Sequence, residues 1–139
     1  MAAIARRAIL LLPALALRAD ERSEIYSLLA TMAGDLANGL ASSFVKGFAW
    51  EQAERLELQR EIETLLATAE VSASVDLREF GAKGEGAEAR VDWYLQMRTR
   101  SDVRIVKQKR EVLEMFFVRQ DKRWRVKSFA PRNFFTYPA

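Results

Sequence analysis

The chain has 139 residues, half of them hydrophobic and 29% charged, which is the composition of one globular domain and excludes a disordered tail or a fibrous repeat. It contains no cysteine, so a disulfide framework, a thiolate nucleophile and a zinc finger are excluded. It contains no histidine either, which removes the commonest metal ligand and general base; the formal net charge is +3.

Residues 1–19 differ from the rest. Arg6 and Arg7 precede an apolar run from Ala8 to Leu17, and Arg18 and Ala19 lead into Asp20-Glu21-Arg22. A basic start, a short apolar centre and small residues before a polar start are the layout of a signal peptide. Export to the periplasm or the medium is the expectation, with a mature domain over 20–139. If residues 1–19 are retained, the chain is cytoplasmic and they form an amphipathic or core helix. A run this short does not cross a ~30 Å hydrocarbon layer as a helix, so no transmembrane span is expected in the mature chain.

From residue 20 the apolar period is helical. Ile25, Leu28, Leu29, Met32, Leu36 and Leu40 form one stripe, and Asn38-Gly39 is a stop signal. A short second helix buries Phe44, Val45 and Phe48, ending near Gly47 to Ala49. A third runs from about Trp50 to Ala69 on Leu58, Ile62, Leu65 and Leu66. At Val71 the period becomes two, with Val71, Ala73, Val75 and Leu77 alternating with polar residues. The glycine-rich stretch 81–87 reads as a hairpin loop. The next strand places Ala89, Val91, Trp93, Leu95 and Met97 on one face, and Arg90, Asp92, Tyr94, Gln96 and Arg98 on the other. Ser101-Asp102 turns the chain into a long strand over about 104–119. Gln120-Asp121-Lys122 turns it again into Trp124 to Phe129. Phe134, Phe135 and Tyr137 in the irregular end are expected to pack back onto the body.

This order predicts an α+β class: three N-terminal helices packed on a curved antiparallel sheet of about four strands. The amphipathic first helix, the short Phe-bearing second helix, the long third helix and the run REVLEMFFVRQDKRWRVKSF at 110–129 resemble the nuclear transport factor 2-like superfamily, a cystatin-like cone. The resemblance covers most of residues 22–135. Many members insert a hairpin between the second and third helices; Phe48-Ala49-Trp50 leaves no room for one, which implies a more open pocket mouth. The resemblance also implies a cavity between sheet and helices, used by some members for isomerase, cyclase or dehydratase chemistry and by others for ligand or protein binding. Fold alone does not choose among these.

The expected lining is Trp93, Leu95, Met97, Leu113, Met115, Phe117 and Trp124 from the sheet, with Tyr26, Met32 and Trp50 from the helices. Such a surface suits a flat, apolar or aromatic ligand, and equally well simply fills a core. Asp76 and Asp92 alternate away from the apolar faces and are expected in solvent. Glu51 and Glu54 are candidate catalytic bases at the pocket mouth, with Tyr26 as a donor; the alternative is that they are ordinary acidic residues in a first helical turn. No Asp-rich loop offers a metal site, and no cofactor is expected. Gly81, Gly84 and Gly86 lie between strands, so they do not form a phosphate loop. Arg98, Arg100, Arg104, Lys107, Lys109 and Arg110 form a basic segment that reads as a solvated strand edge, and a nucleic-acid partner is not expected.

Tyr94, Val112, Phe116 and Val118 break the polar alternation on the outer face of the sheet, which predicts a homodimer through that face. The functional expectation is a non-catalytic small-ligand-binding or accessory dimeric protein. The alternative is an isomerase, cyclase or dehydratase acting on an apolar or aromatic carbonyl compound. Residues 1–19 supply three basic side chains and no acid, so residues 20–139 carry 19 of each sign. Residues 20–70 hold 4 basic and 10 acidic side chains, and residues 71–139 hold 15 and 9, a polarised domain of acidic helices and basic sheet.

Overall fold

A computed structural model describes the backbone from Ala2 to Pro138 and the side chains from Ala19 to Pro138. The side chains of residues 1–18, on which the leader expectation rests, lie outside the described residues. Three helices, α1 (Ala2–Ala37), α2 (Ala41–Val45) and α3 (Gln52–Thr68), precede four strands, β1 (Ala69–Lys83), β2 (Gly86–Thr99), β3 (Val106–Gln120) and β4 (Arg123–Ala130). The strands form one antiparallel sheet in the order β1-β2-β3-β4. This is the α+β arrangement that the change of period from 3.6 to 2 requires.

In α1 the buried stripe is Ile25, Leu29, Met32, Ala33 and Leu36. Leu28 is only partly buried and Leu40 is exposed, because the helix stops at Ala37. Gly39 takes a φ of 72°, the Leu40 N–H reaches the Asp35 carbonyl and the Gly39 N–H reaches that of Leu36. That paired closure needs a left-handed residue at Gly39, which glycine adopts without steric cost. α2 is shorter than its pattern implied and ends at Val45. After a turn at Gly47 the chain instead bridges to β4 at Phe48: the Val126 N–H donates to the Gly47 carbonyl and the Ala49 N–H to the Val126 carbonyl. The segment too short for an extra hairpin thus caps an open sheet edge. α3 buries Leu58, Ile62, Leu65 and Leu66 and passes directly into β1 at Ala69.

Two strand irregularities curve the sheet inward. In β1 the register slips between Leu77 and Glu79, and in β4 residue Lys127 is the extra one opposite Phe116/Phe117. Each keeps residues three apart on the inner face, Leu77 with Phe80 and Val126 with Phe129, where strict alternation would send one of each pair outward. Both bulges are tied from the helical layer. The Arg22 guanidinium donates to the Leu77 carbonyl at 3.0 Å, and the Trp50 indole N–H donates to the Lys127 carbonyl at 2.7 Å.

The hairpin between β1 and β2 is tighter than a loop over 81–87. The strands run to Lys83 and resume at Gly86, leaving Gly84-Glu85 as a two-residue turn with Gly84 at φ 58°. Positive φ at the first central position marks a type II′ turn. The β3–β4 turn places Asp121 at φ 53° and Lys122 at φ 66°, a type I′ geometry built without glycine. Lys122→Gly is therefore expected to stabilise the fold by about 0.5–1 kcal/mol, the relief of the left-handed strain less glycine's added chain entropy. A higher urea midpoint with unchanged slope is the result that confirms it.

Candidate functional site

The concave face is lined by the residues that alternation predicts, and it is packed. Trp93, Leu95, Met97, Leu113, Met115 and Phe117 are fully buried or nearly so, as is Met32, whose thioether closes on the backbone at Gly47. Aromatic rings from the helical layer and from the chain's own end fill the space between sheet and helices. Phe135, 1% exposed, meets Trp93 edge-on with centroids 5.0 Å apart, Phe44 at 5.1 Å, Phe134 at 5.2 Å and Phe129 at 5.4 Å. Phe48 adds contacts to Phe44 and Phe129. These edge-on geometries match the ring quadrupoles as well as the shape. The C-terminal residues expected to pack back therefore occupy the place where the resemblance implied a cavity. The indole N–H groups of Trp93 and Trp124 are buried without a hydrogen-bond partner.

The tail is held by polar contacts as well as by its rings. Lys109, a cation on the inner face, donates from Nζ to the Asn133 and Phe134 carbonyls and to Thr136 Oγ1 at 3.0–3.3 Å. Burial lowers its pKa. The Lys107 ammonium reaches the Pro138 carbonyl, and the Thr99 and Tyr137 hydroxyls bond at 2.6 Å.

The candidate catalytic residues do not converge on this interior. Tyr26 is 48% exposed, beside Arg22 and Asp76 where α1 meets β1. Glu51 and Glu54 are exposed in the first turn of α3. Trp50 does not wall a pocket mouth with them: it stacks on Phe129 at an interplanar angle of 10°, with the Arg132 guanidinium over both rings. Trp124 lies under Arg119, beside Ser27 and Leu28 of α1. Two clefts of about 420 Å³ each open elsewhere on the surface, one over Phe80 and Phe116 at the far end of the sheet and one between α1 and Trp124.

The basic segment is largely committed within the chain. Arg98 bonds the Val103 carbonyl, and Arg104 pairs with Asp102. Arg100 donates to the Leu66 carbonyl at 2.7 Å and pairs with Glu70, so it closes the C-terminal end of α3 where the dipole favours a cation. Arg110 turns to the outer face and Asp92.

Asp92 is the residue that alternation misplaced. It does point outward, but it is 7% exposed and not solvated. Arg110 grips it with Nε at 3.1 Å and a terminal nitrogen at 2.7 Å, and Arg78 donates at 2.9 Å. Arg78, the extra residue of the β1 bulge, is re-aimed by that bulge toward β2. These charge-assisted hydrogen bonds, first that from Arg110, hold the carboxyl down at a pKa of about 2 against an ordinary value of 3.8. A carboxylate with a depressed pKa contributes stability that is present above about pH 4. It is lost as pH falls toward 2, where the native carboxyl protonates. Asp92→Asn is expected to cost about 1–2 kcal/mol at pH 7, a modest figure because both arginines remain partly hydrated. It should also flatten the stability profile between pH 4 and 2, which urea unfolding across that range measures.

Around this cluster the outer face carries the apolar positions predicted to break alternation. Tyr94, Phe116 and Val118 are partly buried and Val112, directly opposite Asp92, is 49% exposed. The Lys83 ammonium lies over the Phe116 ring at 4.5 Å. Among the described residues no cluster of carboxylates suits a metal ion. No described helix is long and apolar enough to cross a membrane.

No protein-family model matches the sequence, and no curated protein is significantly similar to it. Solved structures do match. A nuclear transport factor 2-like protein with a cystatin-like fold from Novosphingobium aromaticivorans is 16% identical with a TM-score of 0.66, over 85% of this chain and 84% of that one. A conserved protein from Planctomyces limnophilus is 12% identical with a TM-score of 0.71, over 81% and 94% of the two chains. A protein of unknown function from Mycobacterium tuberculosis is 15% identical with a TM-score of 0.70, over 83% and 72%. The bulged, inward-curving sheet with three helices against its concave face is the nuclear transport factor 2-like, cystatin-like cone fold.

Proposed function

We propose that the chain is a non-catalytic accessory protein that works as a homodimer, two copies meeting across the outer faces of their sheets. The observation that carries this reading is the division of labour between the two faces. The inner face is filled by the chain's own Phe134 and Phe135, and the candidate carboxylates Glu51 and Glu54 lie on an exposed helical turn. The outer face combines half-buried aromatic and β-branched side chains with a carboxylate whose charge is already neutralised by Arg78 and Arg110. A pre-paired ion cluster enters an interface at less desolvation cost than free charges do. A C2 pair uses one patch twice, so a self-complementary apolar patch suffices.

A small apolar or aromatic ligand fits this reading only by displacing Phe134 and Phe135 from the concave face. A protein from Novosphingobium aromaticivorans described as a putative aromatic ring hydroxylase shares the fold at 12% identity and a TM-score of 0.60. That likeness concerns the fold, and among the described residues none of the carboxylates named above enters the concave interior. Residues 1–19 are proposed to direct export, on their basic, apolar and small-residue layout; the N-terminal sequence of the protein secreted by its native cell checks this. The dimer is tested by sedimentation at micromolar concentration. A species of twice the chain mass is expected, and a monomer throughout that range overturns the proposal.

A further inference from the structure

Among the described residues, β1 has a partner strand on one side only, as the first strand of the sheet, and part of β3 is likewise left open. β3 pairs with β2 along Val106–Phe117, but β4 begins its pairing with β3 only at Glu114. Residues 106–113 therefore have a partner strand on one side alone, the C-terminal segment meeting them only through the inward side chains of Lys107 and Lys109. The Thr99 N–H donates to the Ile105 carbonyl, which makes 105, 107, 109 and 111 the residues bonded to β2. By the antiparallel alternation, the N–H and C=O groups of Val106, Gln108, Arg110 and Val112 point out along the open edge. Among the described residues none of these groups has a backbone partner on that side.

Edge lysines commonly guard such a strand against pairing. Here Lys107 and Lys109 are turned inward to the C-terminal carbonyls, so they leave the edge clear. Arg104 and Arg110 are neutralised by Asp102 and Asp92, but Lys107 and Lys109 bond only carbonyl and hydroxyl oxygens, so their two positive charges have no carboxylate partner in the hydrogen bonds and ion pairs described. Val106 and Val112 add exposed apolar surface on the outer side of the same strand.

We propose that this edge accepts an extended acidic segment of a partner protein by strand addition, backbone to backbone along 106–113. Main-chain hydrogen bonds supply the binding, and alternation supplies the selectivity. Acidic side chains of the added strand fall on the Lys107/Lys109 side, and apolar ones beside Val106 and Val112. A second copy of this chain is a poor occupant, because a symmetric antiparallel pairing centred on Lys109 or Arg110 sets a cation against its own copy. The edge groups lie in the plane of the sheet, so the proposal does not depend on the dimer.

The test uses the full chain and two capped eight-residue peptides, one alternating glutamate with valine and one alternating lysine with valine. The glutamate peptide at about 1 mM is expected to slow amide exchange at Gln108 and Arg110 by about tenfold or more, with no slowing by the lysine peptide. Gln108→Pro removes an outward donor and no β2 bond, and is expected to abolish the effect. If that variant does not fold, the glutamate peptide with alternate amides methylated serves in its place and is expected not to bind. Absence of slowing, equal slowing by both peptides, or slowing that rises with protein concentration in the absence of peptide each overturns the proposal, the last in favour of a second copy.

Discussion

Phe135→Ala is expected to lower stability by about 3–5 kcal/mol, the range for truncating a buried aromatic ring. The reason lies in its neighbours. Phe135 makes edge-on contacts with Trp93, Phe44, Phe129 and Phe134, so its loss leaves a cavity bordered by four rings that cannot all move in to fill it. Each lost aromatic pair adds to the area term. Phe135 also ties the irregular C-terminal end to both layers, so the substitution loosens the Lys109 contacts to that segment. The urea midpoint is expected to fall with little change in slope, because the same surface is still exposed on unfolding. A loss below about 1 kcal/mol contradicts the assignment of Phe135 to the interior.

Val112→Asn is expected to weaken the proposed dimer by about a hundredfold while leaving the monomer's stability within about 0.5 kcal/mol. Val112 is half exposed in the single chain, so the change removes little buried surface there. Across a twofold axis it acts twice, each time desolvating an amide where a branched apolar side chain had packed. Asparagine is chosen over aspartate because Val112 stands directly opposite Asp92, and a second carboxylate would disturb the cluster with Arg78 and Arg110. Sedimentation equilibrium of the variant beside the parent measures the shift. Unchanged association moves the interface off this face.

Much of the architecture is legible in the residue pattern, because each element buries one side and the period of burial follows from backbone geometry. Ile25, Leu29, Met32 and Leu36 mark α1, Leu58, Ile62 and Leu65 mark α3, and Trp93, Leu95 and Met97 mark the inner face of β2. The bulges show only as irregularities in that pattern. Leu77 with Phe80, and Val126 with Phe129, are three apart where a strand spaces its inner residues by two. That odd spacing is the signal that could have located the bend, and with it the reach of Arg78 toward Asp92.

The candidate site was less legible, since a side chain's environment depends on residues remote in sequence. Asp92 alternates outward as its position requires, yet it is buried, because Arg78 and Arg110 fold over it from the neighbouring strands. Lys107 and Lys109 look like solvated edge charges until the C-terminal segment supplies carbonyls for them to bond. Glu51 and Glu54 share a helical side with buried leucines, yet lie a turn or more before Leu58, the first buried residue of α3.

The sequence by itself determined the class of fold, the order of elements, the two-faced sheet and the absence of histidine and cysteine chemistry, since these follow from local periodicity and composition. Only the tertiary structure decided what occupies the cone. Phe134 and Phe135 carry no periodic signature of their own, and where they pack depends on the distance between a bulged sheet and three helices. Burial of rings that far along the chain is a property of the assembled layers, and it turns an implied cavity into a filled core.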